Sequence, residues 1–226
     1  MSSNQAHTFG KFDLQDRWAL ITGAAGLLGL EHARALLESG SNVVLQDISG
    51  DKLNSAKSLL EAEYPFAKVR TSMSDVTSET SMIKSQRELD AEKILISILI
   101  NNAAINPKYD QVSDPGVNSR VENFDLGDWE NQLKVGSTGA FICAKVFGSA
   151  MAKSKGGVIV NIASDLSVIS PDQRLYEKIG VSADEQPVKP VTYSVIKSGL
   201  VGLTKYLATY WRNSGVRVNA LSRWGV

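Results

Sequence analysis

Short runs of Val, Ile and Leu recur along the chain, separated by longer stretches in which apolar residues return every three or four positions. Brief apolar runs that alternate with amphipathic helices are the pattern of βαβ units built around a buried parallel sheet. The pattern predicts strands at Trp18–Thr22, Asn42–Asp47, Lys68–Met73, Ile94–Asn101, Gly157–Ala163 and Val216–Leu221. Helices are predicted at Leu27–Ser39, Asp51–Glu63, Ser78–Glu92, Gly127–Lys153 and Val191–Asn213. Right-handed crossovers then place helices on both faces of one open twisted sheet, a doubly wound, three-layer α/β/α domain spanning residues 1–226. Ligands of such sheets bind beyond the carboxyl ends of the strands.

Two connections on that side are longer than the usual loops of α/β units, Asn106–Phe124 and Asp165–Pro190. The second mixes Asp172, Arg174, Glu177, Lys178, Asp184, Glu185 and Lys189 with Leu175, Tyr176 and Ile179, as a folded lid would; a solvated insertion is the plain alternative.

Composition narrows the function by exclusion. Lys plus Arg and Asp plus Glu are 24 each, so no net charge recommends a nucleic-acid or anionic-membrane partner. The longest apolar run, Ile94–Ile100, falls short of a membrane span, and the polar Met1–Asp16 has no secretory apolar core, which together read as cytoplasmic. Cys143 stands alone and reads as a small buried apolar side chain. His7 and His32 are too far apart to suggest a metal site, and no metal is expected.

The first strand runs straight into Gly23-Ala24-Ala25-Gly26-Leu27-Leu28-Gly29, with helical period beginning at once. A strand, a glycine turn and a helix start aim backbone N–H groups and a helix dipole at a pyrophosphate. Three glycines alone can be an ordinary turn. The second strand adds Asp47 about 20 residues on, where an acid holds the hydroxyls of an adenine ribose and repels a 2′-phosphate. NAD is therefore favoured over NADP, unless Asp47 merely opens the next turn.

Tyr193 and Lys197 share one face at the start of a predicted helix, and the preceding strand delivers Ser164 at its carboxyl end. A neighbouring ammonium favours the phenolate of a tyrosine, so the pair is a candidate proton-transfer unit, although a Tyr and a Lys at this spacing also occur by chance.

Taken with Asp75-Val76 after the third strand, Asn101-Asn102-Ala103 after the fourth and Arg217-Val218-Asn219 in the sixth, these motifs resemble the short-chain dehydrogenase/reductase family from Leu14 onward. The resemblance implies a Rossmann-like fold and an NAD(H)-dependent oxidoreductase that interconverts a secondary alcohol and a ketone on a small, sugar-like polar molecule. It implies catalytic roles for Tyr193 as acid and base, Ser164 as carbonyl polariser and Lys197 as ribose ligand and activator. It also implies a cofactor surface of Gly23, Ala25, Gly26, Leu27, Leu28, Asp47, Asp75, Val76, Asn102, Ala103 and Ala104, shared with Tyr193 and Lys197. A homo-dimer or homo-tetramer formed through the helices corresponding to Gly127–Lys153 and Val191–Asn213 is the family's habit.

Departures are equally specific. Gly136 stands where the family has an asparagine that completes a proton relay, so Gly136→Asn is expected to raise turnover. The Gly-x-x-Gly-x-x-Gly spacing is closer to that of the family's longer sugar-nucleotide branch, and Arg223-Trp224 replaces a usual Pro-Gly. A final helix and strand are expected to be missing after Leu221, which leaves an exposed sheet edge. The Thr22–Gly29 turn, Asn101–Pro107 and the long Ser164-to-Tyr193 spacing resemble bacterial flagellin-modification oxidoreductases of nonulosonic-acid synthesis. The competing reading is a catalytically weakened dinucleotide-binding protein or partner subunit.

Overall fold

Six strands line up as β3-β2-β1-β4-β5-β6, all parallel, in a computed structural model that describes residues 13–105 and 119–222. Expectations placed on His7, on Arg223-Trp224 and on most of the Asn106–Phe124 connection lie outside the described residues. The strands are β1 (Trp18–Thr22), β2 (Asn42–Asp47), β3 (Val69–Met73), β4 (Ile96–Asn101), β5 (Gly157–Ile162) and β6 (Val216–Leu221). Helices α1 (Leu27–Glu38), α2 (Gly50–Glu63), α3 (Glu79–Ala91), α4 (Leu126–Lys153) and α5 (Val191–Tyr210) connect them. The order reverses between β1 and β4, the crevice where doubly wound sheets take their ligands.

Two apolar layers hold the sheet between its helices. Leu20, Val44, Leu99 and Ile159 point into one, against Phe147, Met151, Leu207 and Trp211. Their strand neighbours Ala19, Ile21, Val43, Leu45, Ile98 and Ile100 point into the other, against Leu37, Leu53 and Leu60. Neighbouring strand residues face opposite sides, so a strand covered on both faces must be apolar along its covered stretch, as Ala19–Ile21 of β1 and Ile98–Ile100 of β4 are.

Boundaries depart from the sequence pattern where tertiary contacts intervene. The fourth strand starts at Ile96, because Lys93 at φ 61° and a turn ending at Ile94 take up the first residues of the apolar run. The last long helix stops at Tyr210, and a further 3-10 turn, Arg212–Ser214, leads into β6. Helix α4 has one continuous axis but contains two π turns, Lys134–Thr138 and Ala144–Gly148. Its length and composition would suffice for a membrane span, yet 56% of its most apolar stretch is buried within the domain, so it reads as a core helix. Small and polar residues interrupt α4, so it contains no long unbroken apolar run.

Candidate functional site

The carboxyl ends of β1, β4 and β5 sit side by side at the crevice, and the candidate residues gather there. Gly23 leaves β1 at φ +62°, and a Cβ on it would stand 2.9 Å from Ala103 Cα, so glycine is demanded by conformation and by close approach. The turn is tied down by side chains. Thr22 Oγ1 accepts from the N–H groups of Asn102 and Ala103, both at 3.0 Å, and Asn102 Nδ2 donates to the carbonyls of Thr22 and Gly23 at 3.0 and 3.1 Å. Helix α1 then begins with no side-chain cap and no acid in its first turn. Its first N–H groups have no helical partner and carry the positive end of the helix dipole. Leu27 and Leu28 are exposed beside them.

Asp47 ends β2 with Oδ2 accepting from Ala25 N–H and Oδ1 from Ser49 N–H, each at 3.2 Å. Each oxygen keeps a further lone pair for a ligand hydroxyl. Asp75 is spent locally, its Oδ1 accepting from Thr77 N–H and Oγ1 at 2.8 Å, while Val76 packs against Gly139 of α4. A glycine turn, an uncapped helix start and a carboxylate with spare acceptors fit a dinucleotide.

On the other side of the crevice, α5 presents Tyr193 and Lys197. Lys197 is buried, its Nζ donating to Ile162 O at 2.6 Å and standing 5.6 Å from the Tyr193 ring centre. Burial, with some help from the nearby Lys189 charge, pushes its pKa down to about 8. Ser164 is also buried; its Oγ donates to Asp165 Oδ1 at 2.6 Å and accepts from Leu166 N–H, so in this arrangement the hydroxyl caps a 3-10 turn at Asp165–Ser167. A cavity of about 40 Å³ opens among Ala104, Gln132, Lys189, Tyr193, Ile196 and Lys197. A broader, open depression of about 510 Å³ along α3, near Thr80 and Arg87, holds none of the predicted residues.

A sequence profile of the short chain dehydrogenase family matches residues 17–176, most of the chain. The chain belongs to that family. This dehydrogenase is similar to a short chain dehydrogenase/reductase of Gibberella zeae, 31% identical over 210 residues that span 92% of this chain and 68% of the relative. Its structure is similar to an NAD⁺-bound xylitol dehydrogenase, with TM-score 0.77 and 26% identity over 93% of this chain and 70% of that one. It is equally similar to a gluconate 5-dehydrogenase from Burkholderia cenocepacia in complex with NADP and tartrate, with TM-score 0.77 and 26% identity over 94% and 72% of the two chains.

Three features of the dehydrogenase escaped the sequence pattern. Asn161 of β5, fully buried, accepts from Asn101 Nδ2 at 2.8 Å and donates to Thr204 Oγ1 at 2.8 Å, a polar bridge from β4 to α5 beneath the site. Gln132 accepts from Thr192 Oγ1 at 2.6 Å and joins α4 to the start of α5. Lys189 places its ammonium 3.9 Å from the Tyr193 ring centre. Only the Asn161 bridge had a visible signal, a polar residue inside an apolar strand.

The expectation for Gly136 changes. It lies in the first π turn, and a Cβ there would meet Ile196 Cγ2 at 2.8 Å. Ile196 precedes Lys197, so an asparagine at 136 would push on the helix that carries the candidate proton-transfer pair. Glycine is set there by the approach of α4 to α5.

Proposed function

We propose that this dehydrogenase interconverts a secondary alcohol and a ketone on a small polyhydroxylated molecule with NAD(H), as a flagellin-modification type of oxidoreductase acting on a sugar-like metabolite. The observation that carries the reading is the cavity walled by both Tyr193 and Lys197, opening at the crevice where Gly23, Asp47 and the start of α1 fit a dinucleotide. The relatives named for xylitol and gluconate support the polyhydroxylated class.

A bound nicotinamide supplies or accepts the hydride. The protein does the rest. Tyr193 moves the proton at the substrate oxygen, with the Lys197 ammonium 5.6 Å from its ring centre. Lys197 is held in place by the Ile162 carbonyl and would serve as a ribose ligand for the cofactor. Ser164 polarises the carbonyl once its hydroxyl turns from Asp165 to the substrate, which exchanges one partly buried hydrogen bond for another. Ala25, Gly26, Leu27 and Leu28 would hold the pyrophosphate, Asp47 the adenine ribose and Asp75 and Val76 the adenine, while Asn102, Ala103 and Ala104 would lie along the adenosine ribose and the sheet. Asp47 favours NAD over NADP, because a 2′-phosphate would face its carboxylate with no basic residue among Gly23–Gly29 to offset it. Exposed Phe141, Tyr206 and Tyr210 on α4 and α5 suit the dimer or tetramer the family forms.

A spectrophotometric screen of polyols, aldonates and nonulosonic acids with NAD⁺ tests this reading. At least one should yield NADH, and Tyr193→Phe should lower kcat by about 10²- to 10⁴-fold while NADH binding, followed by fluorescence, stays within about twofold. Turnover undiminished in Tyr193→Phe would remove the assignment; NADH binding without any turnover would favour the weakened-subunit alternative.

A further inference from the structure

Lys189 is left without a task by that reading, and its setting is unusual. The residue ends the long segment between β5 and α5, held on one side by its own N–H donating to Gln173 Oε1 at 2.8 Å and on the other by Pro190 at the head of α5. Val188 N–H donates to Ser119 Oγ at 2.9 Å, so the backbone approaching Lys189 is fixed as well. Its side chain reaches back over the site, with Nζ 3.9 Å from the Tyr193 ring centre and 5.9 Å from that of Tyr176. It lines the same cavity as Tyr193 and Lys197.

Among the described residues this ammonium donates no hydrogen bond and forms no ion pair. Partly buried lysines are normally paired, since lost hydration must be offset. Burial indeed pulls its pKa down, with Asp165 opposing only at a distance. The Asp165 carboxylate is already engaged by Ser164 Oγ and Leu166 N–H. The neighbouring Lys197 ammonium is used by the Ile162 carbonyl. Two cations therefore border the cavity against one carboxylate that is engaged elsewhere, and the ring faces supply only part of what water would.

We propose that Lys189 reads a carboxylate on the substrate, so that the alcohol oxidised belongs to a hydroxy acid of the sugar-acid type rather than to a neutral polyol. The inference rests on the proposed site around Tyr193 and names its substrate class more closely. The Lys189 ammonium, which no protein acceptor engages among the described residues, matches the single charge and the acceptor oxygens of a carboxylate. Because Nζ lies against the Tyr193 ring, the carboxylate would sit within a few bonds of the carbon that reacts. Lys189 is thus a specificity residue that orients the substrate; proton transfer stays with Tyr193.

Calorimetric titration of the protein with D-gluconate, with D-sorbitol and with D-sorbitol 6-phosphate, in the presence of NADH, tests the proposal on the unmodified chain, on Lys189→Gln and on Lys189→Arg. Gluconate should bind the unmodified chain about tenfold or more tighter than either other ligand. Lys189→Gln should weaken gluconate binding by roughly ten- to hundredfold, the range for a charge-assisted hydrogen bond, and leave sorbitol within about twofold. Lys189→Arg should retain most of the preference. Circular dichroism of each variant establishes that it is folded. Equal binding of gluconate and sorbitol by the unmodified chain, undiminished gluconate binding by Lys189→Gln, or an equal loss for both ligands would overturn the proposal. Tighter binding of sorbitol 6-phosphate would overturn the choice of carboxylate. The readout is binding, so absence of NAD-dependent turnover with Lys189-dependent gluconate binding intact would sink the oxidoreductase reading of the site and leave this one standing.

Discussion

The turn after β1 and the segment after β5 face the same crevice but are built in opposite ways. After β1, the working surface is backbone: Gly23 in a left-handed conformation, the free N–H groups of α1, and neutral side chains of Thr22 and Asn102 that lock the turn from beneath. After β5, it is side chains from separate elements, with Lys189 from the long connection, Tyr193 and Lys197 from α5 and Gln132 from α4 converging on one cavity. The long connection is nevertheless folded. Gln186 donates to the carbonyls of Lys178 and Val181 and accepts from Lys178 N–H, and Asp172 pairs with Arg174. Its exposed Val168, Leu175 and Ile179 set it apart from the covered layers of the sheet. A backbone surface suits a ligand that many proteins share, since it depends on few residue identities. A side-chain surface can be retuned for a particular substrate by single substitutions.

The contrast is broken most strongly at Lys197. Its pKa falls from 10.5 to about 8 because the folded protein buries the ammonium. Below pH 8 the group is charged in both folded and unfolded states, and the folded state bears the full cost. Between pH 8 and 10.5 the folded state has lost the proton that the unfolded state still holds, so stability rises with pH. Lys197→Met, which never carries the charge, should therefore be more stable relative to the unmodified protein at pH 7 than at pH 10.5, the difference shrinking by about 3 kcal/mol. Urea unfolding of both proteins across that range checks it; a difference independent of pH would mean that the ammonium is not buried in solution.

Next comes the seam between the two regions, where α4 meets α5. Gly136→Ala should destabilise by about 1–3 kcal/mol through overpacking against Ile196, and kcat should fall because Lys197 follows on the same helix. Ile196→Ala should restore part of the loss in the double variant. Thermal melts and a double-mutant cycle decide the matter, and additive losses would place the strain elsewhere.

The smallest effect belongs to the backbone-built side. Asp47→Ala should narrow the preference for NADH over NADPH by about tenfold, near the 1.4 kcal/mol that corresponds to one power of ten, by removing a charge from the 2′-position. Loss of Ala25 and Ser49 hydrogen bonds should soften the turn only slightly. Equal affinities for both cofactors in the unmodified protein would remove this role for Asp47.

The alternation of short apolar runs with amphipathic stretches was enough to place all six strands and five helices within a few residues, because a strand covered on both faces leaves an unbroken apolar signature. Gly23, Gly26 and Gly29 were legible for a related reason: positive φ and close approach admit few other residues. Tyr193 and Lys197 stood out as candidates through helical spacing together with the strand before them that ends at Ser164. What stayed hidden lies between elements. Nothing local marks Gly136 as the seat of a close helix approach, since Ile196 is 60 positions away; the Asn101–Asn161–Thr204 bridge spans three elements; and Ser164 turns to Asp165 through a cap that forms only once the strand has ended. Lys189 reads in the sequence as one more charge in a polar connection. The sequence by itself determined which elements form and where the chain must turn, because those are governed by neighbours within a few residues. Only the tertiary structure decided that an ammonium from the long connection comes to rest on the Tyr193 ring without an ion pair among the described residues, because that depends on how β5, α4 and α5 pack at the end of the sheet.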